Sequence, residues 1–384
     1  MTPVGFGVFS VPGTPPRVGF RSDGGVLDLV DSGLGDVFAR PSLNAFLALG
    51  RSAWEETLAR VLDLLEAGAA LTPLADVEMH IPFDVADYVD FYASLEHATN
   101  LGRLFRPDAE PLLPNWRHLP VGYHGRAGTV VVSGTPVRRP CGQMRPPGET
   151  VPTFGPSRKL DLELELGFVV GAGSHRGEPV AASAFRDHVF GVVLVNDWSA
   201  RDLQAWEYQP LGPFLGKSFA TSISAWVTPL ALLEHALVPA PPQEPEPLPY
   251  LRVEGDWALD VDLEVELQGS VVSRGSAQGL YWTMPQQLAH ATVNGASLRT
   301  GDLMATGTIS GPTAGSEGSL IELTRNGERP VRLDDGSERT FLEDGDTVVL
   351  RGRAGDVELG EVVGTILFAP CSSVTSASSD RHDS

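Results

Sequence analysis

From about residue 128 the chain is a succession of short strand-like runs separated by Gly-rich turns: TVVVSG, KLDLELELGFVV, FGVVLV, LDVDLEVELQG, DTVVLRG and EVVGTILF. Runs of this length and alternation, too short and too frequently interrupted for helices, restrict the chain to a mainly β architecture with some α-helix. The 42 Gly and 31 Pro among 384 residues supply the turns that such a fold needs. Hydrophobic residues make up 42% of the chain, enough for a packed core.

The 28 basic and 49 acidic residues give a formal charge of −21. That charge repels phosphate backbones and anionic lipids, so nucleic acid and membrane surfaces are not expected partners. No uncharged apolar run approaches the roughly 18 residues of a membrane helix, and the N-terminus MTPVGFGVFSVPG lacks a basic segment ahead of an apolar stretch. Cys141 and Cys371 are too few for a disulfide framework and are expected as free thiols, which suits a cytoplasmic protein.

The first 45 residues read as small strands joined by tight turns. Ser52 with Glu55 has the spacing of a capping box, and Trp54, Leu58, Val61 and Leu65 then form one helical stripe that Gly68 stops. Composition shifts near His80, Pro82 and Asp84, which divides the chain into an N-terminal unit over 1–84 and a larger unit over 85–370. The polar residues 371–384 read as a disordered tail. Residues 239–249 hold six prolines and form an extended surface connection.

Several stretches gather reactive side chains. In KLDLELELGF, strand alternation places Asp161, Glu163 and Glu165 on one face, about 6.6–7 Å apart, where they can converge on a hard cation. A solvated face of a half-exposed sheet explains the same alternation. The similar run with Asp260, Asp262, Glu264 and Glu266 has no polar constellation near it and is assigned to solvent. A strand ending at Asn196 and Asp197 runs into a short helix, read as capped by Ser199, on which Arg201, Gln204 and Tyr208 share a face able to bind an oxyanion. Lys217 follows in a Gly/Pro loop. Upstream, Asp90, Tyr92, His97 and Arg106 fall within seventeen residues, although His124 is an equally suitable base by type. ATGTISGP can offer backbone N–H groups and the Thr308 hydroxyl to a carboxylate. Glu322 lies just beyond, a carboxylate of the kind that orients a histidine base.

DFYASLEHATN, LPVGYHGRAG, VVVSGTPVRRP, KLDLELELGF, NDWSARDLQAWEYQPLGPFLGKSF, LYWTMPQQLAH and ATGTISGP together resemble the fumarylacetoacetases of the fumarylacetoacetate hydrolase family, over nearly the whole chain. The resemblance implies a small N-terminal SH3-like β-barrel, a larger C-terminal mixed β-roll and a homodimer. It implies metal ligands at Asp90, Glu163, Glu165 and Asp197, with Lys217 and Thr221 lining the metal site, and an all-oxygen set suits Ca²⁺ or Mg²⁺. It places the water-activating base at His97, its orienting carboxylate at Glu322, and oxyanion and leaving-group contacts at Arg201, Gln204 and Lys217. Substrate contacts fall at Tyr92, Arg106, Tyr123, Tyr208 and Thr308. The implied reaction is hydrolysis of 4-fumarylacetoacetate, an anionic diketo acid, to fumarate and acetoacetate in tyrosine and phenylalanine catabolism. The acidic cluster alone also fits a metal-dependent decarboxylase, hydratase or acylpyruvate hydrolase acting on 2-oxo acids, or a non-catalytic Ca²⁺-binding module.

Overall fold

A computed structural model describes residues 2–369 and Cys371. The tail expected over 371–384 therefore lies outside the described residues, apart from Cys371. In chain order the elements that build the site are β1 (Pro3–Ser10), β2 (Arg17–Ser22), β3 (Gly25–Asp28), α1 (Arg51–Glu66), β4 (Glu78–His80), β5 (Tyr88–Phe91), α2 (Leu95–Phe105), β6 (Gly122–His124) and β7 (Val130–Val132). Then follow β8 (Leu160–Asp161), β9 (Leu164–Val170), β10 (Val189–Asp197), β11 (Ser199–Ala200), α3 (Arg201–Glu207), β12 (Thr221–Ile223) and β13 (Trp226–Pro229). The last are β14 (Asp262–Leu267), β15 (Ser270–Ser276), β16 (Leu303–Ala305), α4 (Leu320–Leu323), β17 (Thr347–Ala354) and β18 (Val357–Leu367).

A twelve-stranded sheet runs in the order β3-β2-β1-β13-β10-β9-β16-β5-β6, with β4 on β1, and β12 bridging β10 to β7. The N-terminal strands do not close on themselves, because β1 pairs with β13 at Phe6 to Val227 and Gly7 to Trp226. A separate SH3-like barrel is thus not what these pairings display. A second sheet stacks β15-β14-β17-β18 with Val137–Arg138. Its strand β14 alternates as expected, with Leu263, Val265 and Leu267 buried and Asp262 exposed. Glu264 and Glu266 are met at the surface by Arg274 and Arg351.

Helix α1 buries Trp54, Leu58, Val61 and Leu65, the expected stripe. Its start differs from the expected capping box. Gly50 is the cap residue, no side chain caps the helix, and Glu55 pairs instead with Arg51 at 2.7 Å. Once Arg51 is the first helical residue, Ser52 lies inside the first turn and has no terminal N–H to accept.

The units on either side of residue 84 share one core. Phe190 of β10 lies 5.7 Å from Phe6, 5.6 Å from Phe46 and 5.5 Å from Trp54 between ring centroids. The same cluster takes in Val169, Val193, Val195, Leu303 and Ala305. These residues alternate with Leu164, Leu166, Phe168, Val192 and Leu194, which belong to the larger core on the other face. Both faces of the central strands are therefore covered, and KLDLELELGF is not the half-exposed sheet that its alternation also allowed.

Cys141 and Cys371 are joined in a disulfide, which corrects the expectation of free thiols. Their separation of 230 positions conceals a parallel pairing of Ile366 with Val137 and Leu367 with Arg138. Two strands running side by side in one direction carry both cysteines to the same end, with their Cα atoms 6.1 Å apart.

Truncating the shared aromatic contact by Phe190→Ala is expected to destabilise the whole chain by about 3–5 kcal/mol in chemical denaturation. A variant that unfolds its first 84 residues separately while the remainder keeps wild-type stability would contradict the shared core.

Candidate active site

The acids converge because the large sheet curls. Tyr123 on β6 stands four strands from β10, a distance of roughly 19 Å in a flat sheet. Yet its hydroxyl donates to Asp197 Oδ2 at 3.0 Å. Asp90 of β5, Glu165 of β9 and Asp197 of β10 meet inside this curl, each with one carboxylate oxygen within 4.8 Å of the others. Pleating explains their direction. Val169, Gly167 and Glu165 succeed one another on one face of β9, as do Val193, Val195 and Asp197 on β10 and Tyr88 and Asp90 on β5. That face is apolar where the N-terminal unit covers it and acidic beyond.

Asp90 Oδ1 and both oxygens of Glu165 are buried without a hydrogen-bond partner. Burial, then the Asp197 charge, pushes the Asp90 carboxyl well above the usual carboxylate range, and burial with Asp90 and Asp197 does the same to Glu165. Like charges with orphaned oxygens in a dry site are a fit for a hard divalent cation.

Glu163 is turned differently. Its Oε1 lies 2.7 Å from Arg201 Nη2, its Oε2 pairs with Lys217 Nζ, and Lys217 also reaches Asp197 Oδ2 at 2.6 Å. Burial opposes ionisation of Glu163, but the charges of Lys217, Arg201 and His97 outweigh it and hold the carboxyl below its ordinary value. Lys217 is shifted upward, because Asp197 and Glu163 overcome its desolvation, so its nitrogen stands here as an ammonium. Thr221, opposite Asp197 across the β10–β12 ladder, donates to Asp197 Oδ1 at 3.2 Å.

His97 sits in the first turn of α2, and Ser94 is the N-cap, accepting the His97 N–H at 3.2 Å. Asp90 lies in strand β5 and His97 in helix α2, so the two come from separate elements. His97 Nδ1 lies 2.7 Å from Glu322 Oε2, and Nε2 lies 3.9 Å from Glu163 Oε1. Glu322 also accepts from Asn100 at 3.0 Å, Ser310 at 2.9 Å and Ser319 at 2.6 Å. Burial would raise its pKa, but the His97 charge and these donors keep it below the usual value. The other base candidate, His124, is exposed at the sheet edge beside Asp87.

A cavity of about 330 Å³ opens onto these groups and is lined by all five expected substrate contacts: Tyr92, Arg106, Tyr123, Tyr208 and Thr308. Arg201, Gln204 and Tyr208 face it from α3 and its C-terminal cap. Phe91, Leu101, Phe105 and Val121 supply an apolar wall. The Tyr92 ring meets His97 edge-on at 5.3 Å. Thr308 Oγ1 is buried without a partner. Gly307, at φ +77°, is required in this loop because a Cβ there would lie 2.2 Å from the Phe91 carbonyl oxygen.

Two expectations change in detail. Ser199 does not cap α3; it lies in β11, its hydroxyl donating to the Asp197 carbonyl, and Ala200 takes the cap position. Asp161 leaves the acidic face and pairs with Arg201 at 2.8 Å. The residues not anticipated are Tyr88, Asn100, Ser310 and Ser319. Tyr88 and Asn100 carried a signal, being two strand positions from Asp90 and three helix positions from His97. Ser310 and Ser319 carried none.

The model described as "Fumarylacetoacetate (FAA) hydrolase C-terminal" matches residues 87–367, and "Fumarylacetoacetase N-terminal" matches residues 4–82. The chain is 47% identical to a fumarylacetoacetase of Rattus norvegicus and 46% identical to that of Homo sapiens, each over 95% of both chains. It is 48% identical to that of Arabidopsis thaliana over 91% of this chain and 88% of the plant protein. Among solved structures, a fumarylacetoacetate hydrolase from Exiguobacterium antarcticum matches with TM-score 0.56 at 17% identity, covering 95% of this chain and 99% of that one. A maleylpyruvate hydrolase from Sphingobium sp. SYK-6, solved in complex with manganese(II) ion and pyruvate, matches with TM-score 0.54 at 18% identity, covering 96% and 100%. The chain belongs to the fumarylacetoacetate hydrolase family.

Proposed function

We propose that this chain hydrolyses 4-fumarylacetoacetate to fumarate and acetoacetate, as tyrosine and phenylalanine catabolism requires. The observation that carries the reading is the buried His97–Glu322 pair facing Arg201, Lys217 and an acid triad across one cavity. A non-catalytic cation-binding module has no use for that pair. The family's larger β-roll and homodimeric assembly belong to the same reading.

The bond to be broken is carbon to carbon, and its electrons must leave on carbon. Glu322 holds His97 Nδ1, so Nε2 is directed toward the Glu163 side of the site, where it takes a proton from water. The hydroxide adds to the carbonyl carbon of the fumaryl half. The oxyanion so formed is met by Arg201, Gln204 and the Lys217 ammonium, donors already in place before reaction. Collapse of the adduct expels the acetoacetate carbanion as its enolate, which recovers on carbon the proton held at His97. Asp90, Glu165 and Asp197 would hold a Ca²⁺ or Mg²⁺ ion, with Glu163 beside them as fourth acid. Such an ion supplies Lewis-acid polarisation of the diketone oxygens and a counter-charge for the enolate. Arg106, Arg201 and Lys217 admit an anionic substrate to a strongly negative protein, while Tyr92, Tyr123, Tyr208 and Thr308 orient it.

His97→Ala should lower kcat by about 10²–10⁴-fold while a non-hydrolysable diketo acid still binds. Lost binding with retained turnover would contradict His97 as the base. EDTA treatment should abolish hydrolysis, followed as loss of diketone absorbance, and added Ca²⁺ or Mg²⁺ should restore it; undiminished turnover in metal-free protein would exclude a metal role. Because Asp90 and Glu165 are shifted upward, they bind protons that a cation must displace. Metal affinity should therefore rise with pH, by up to about tenfold per unit for each proton released. Calorimetry in buffers of different ionisation heat checks this, and an affinity independent of pH would contradict it.

A further inference from the structure

We propose that Asp161 is a positioning residue that locks the oxyanion-binding guanidinium and the base-orienting carboxylate into one rigid unit. The inference rests on the roles given above to Arg201, His97 and Glu322. Asp161 does not line the cavity and is not one of the converging acids. It is fully buried, and its carboxylate is occupied by four donors. Oδ1 accepts the N–H of Leu162 at 2.8 Å and of Leu320 at 2.7 Å; Oδ2 accepts the N–H of Ile321 at 3.1 Å and Arg201 Nε at 2.8 Å.

Two of those donors open helix α4, which carries Glu322 as its third residue. A four-residue helix cannot sustain itself, and its terminal N–H groups need acceptors from elsewhere. Ser319, in the cap position, accepts none of these N–H groups; its hydroxyl is turned to donate to Glu322 Oε2. The acceptor is Asp161, brought from another strand. Where Asp161 goes, the first turn of α4 follows, and with it the carboxylate that holds His97.

The other end of the clamp is Arg201. Its Nε is taken by Asp161, which sets the plane of the guanidinium and leaves Nη1 toward Gln204 Oε1 at 3.3 Å and Nη2 toward Glu163. The backbone enforces the same arrangement, since Asp161 stands opposite Ser199 in the β8–β11 ladder and Arg201 N–H donates to the Lys159 carbonyl. One buried carboxylate thus fixes both the charge that receives the oxyanion and the charge that orients the base. Asparagine cannot do both: its single carbonyl oxygen serves two of the four donors, and its amide places N–H groups against the rest.

The test compares wild type, Asp161→Asn, Glu322→Gln and the double variant, with kinetics expressed per folded site by circular dichroism and calcium-binding stoichiometry. Asp161→Asn is expected to fold and bind calcium, to lose about 10²–10³-fold in kcat and to keep KM within about threefold. Because Asp161 acts in part through Glu322 and in part through Arg201, the double variant should be slower than either single variant but by at least about tenfold less than the product of the two single effects. A folded Asp161→Asn with wild-type kcat, or effects that multiply in the double variant, would overturn the proposal. Asp161→Glu, which keeps the charge but displaces it by one methylene, should fold and lose kcat in the same way. Wild-type kcat there, or failure of both variants to fold, would reduce Asp161 to a structural residue and overturn the inference. A wild type that hydrolyses fumarylacetoacetate beside an unaffected Asp161→Asn overturns this inference alone; a wild type without turnover overturns the functional reading and this inference with it.

Discussion

Like charges forced together in a dry place are the constraint on which this structure turns. Asp90, Glu163, Glu165 and Asp197 are each at most 3% exposed, and burying an uncompensated carboxylate is among the costliest things a fold can do. Glu163 and Asp197 are compensated by Lys217, and Glu163 also by Arg201. Asp90 and Glu165 keep oxygens with no partner among the described residues. The arrangement is half neutralised, and what remains has the charge and donor set of a divalent cation's cage.

Holding such a cluster requires a frame that does not yield. The curl that brings β5 and β6 over β10 is secured away from the acids, where the N-terminal unit lays Phe6, Phe46 and Trp54 against Phe190. Apolar packing at one end of a sheet face and acids at the other are two consequences of one pleat. Packing energy gained around Phe190 offsets electrostatic strain at Asp197, the last residue of the same strand. The N-terminal unit thereby bears on the site without contributing a lining residue to the cavity.

Chemistry in the cavity is divided between groups that carry charge and groups that aim it. His97 is held by Glu322, and Glu322 by Asn100, Ser310 and Ser319. Arg201 is held by Asp161, which also ties down the helix of Glu322. The proposed base and oxyanion donor come from segments far apart in sequence, and their supports meet at one buried carboxylate. In the proposed mechanism, water attack and charge stabilisation share one mechanical reference.

Local patterning was enough to locate the strands, the stripe of α1, the solvated face of β14 and the segments that hold the reactive side chains, because period and side-chain type are properties of neighbouring residues. It misplaced the cap of α1 by two residues and the cap of α3 by one, because so small a shift of register decides which N–H is free. It could not separate His97 from His124, since composition does not report burial, and periodicity alone could not rank the two acidic runs; the polar residues near one of them did. It read Cys141 and Cys371 as free thiols because nothing local announces that their strands run side by side. The family resemblance named the chemistry; the tertiary structure decided which acids meet, which keep unpartnered oxygens and what Asp161 holds. Each of those depends on contacts across a curled sheet, between residues that sequence spacing alone leaves unrelated.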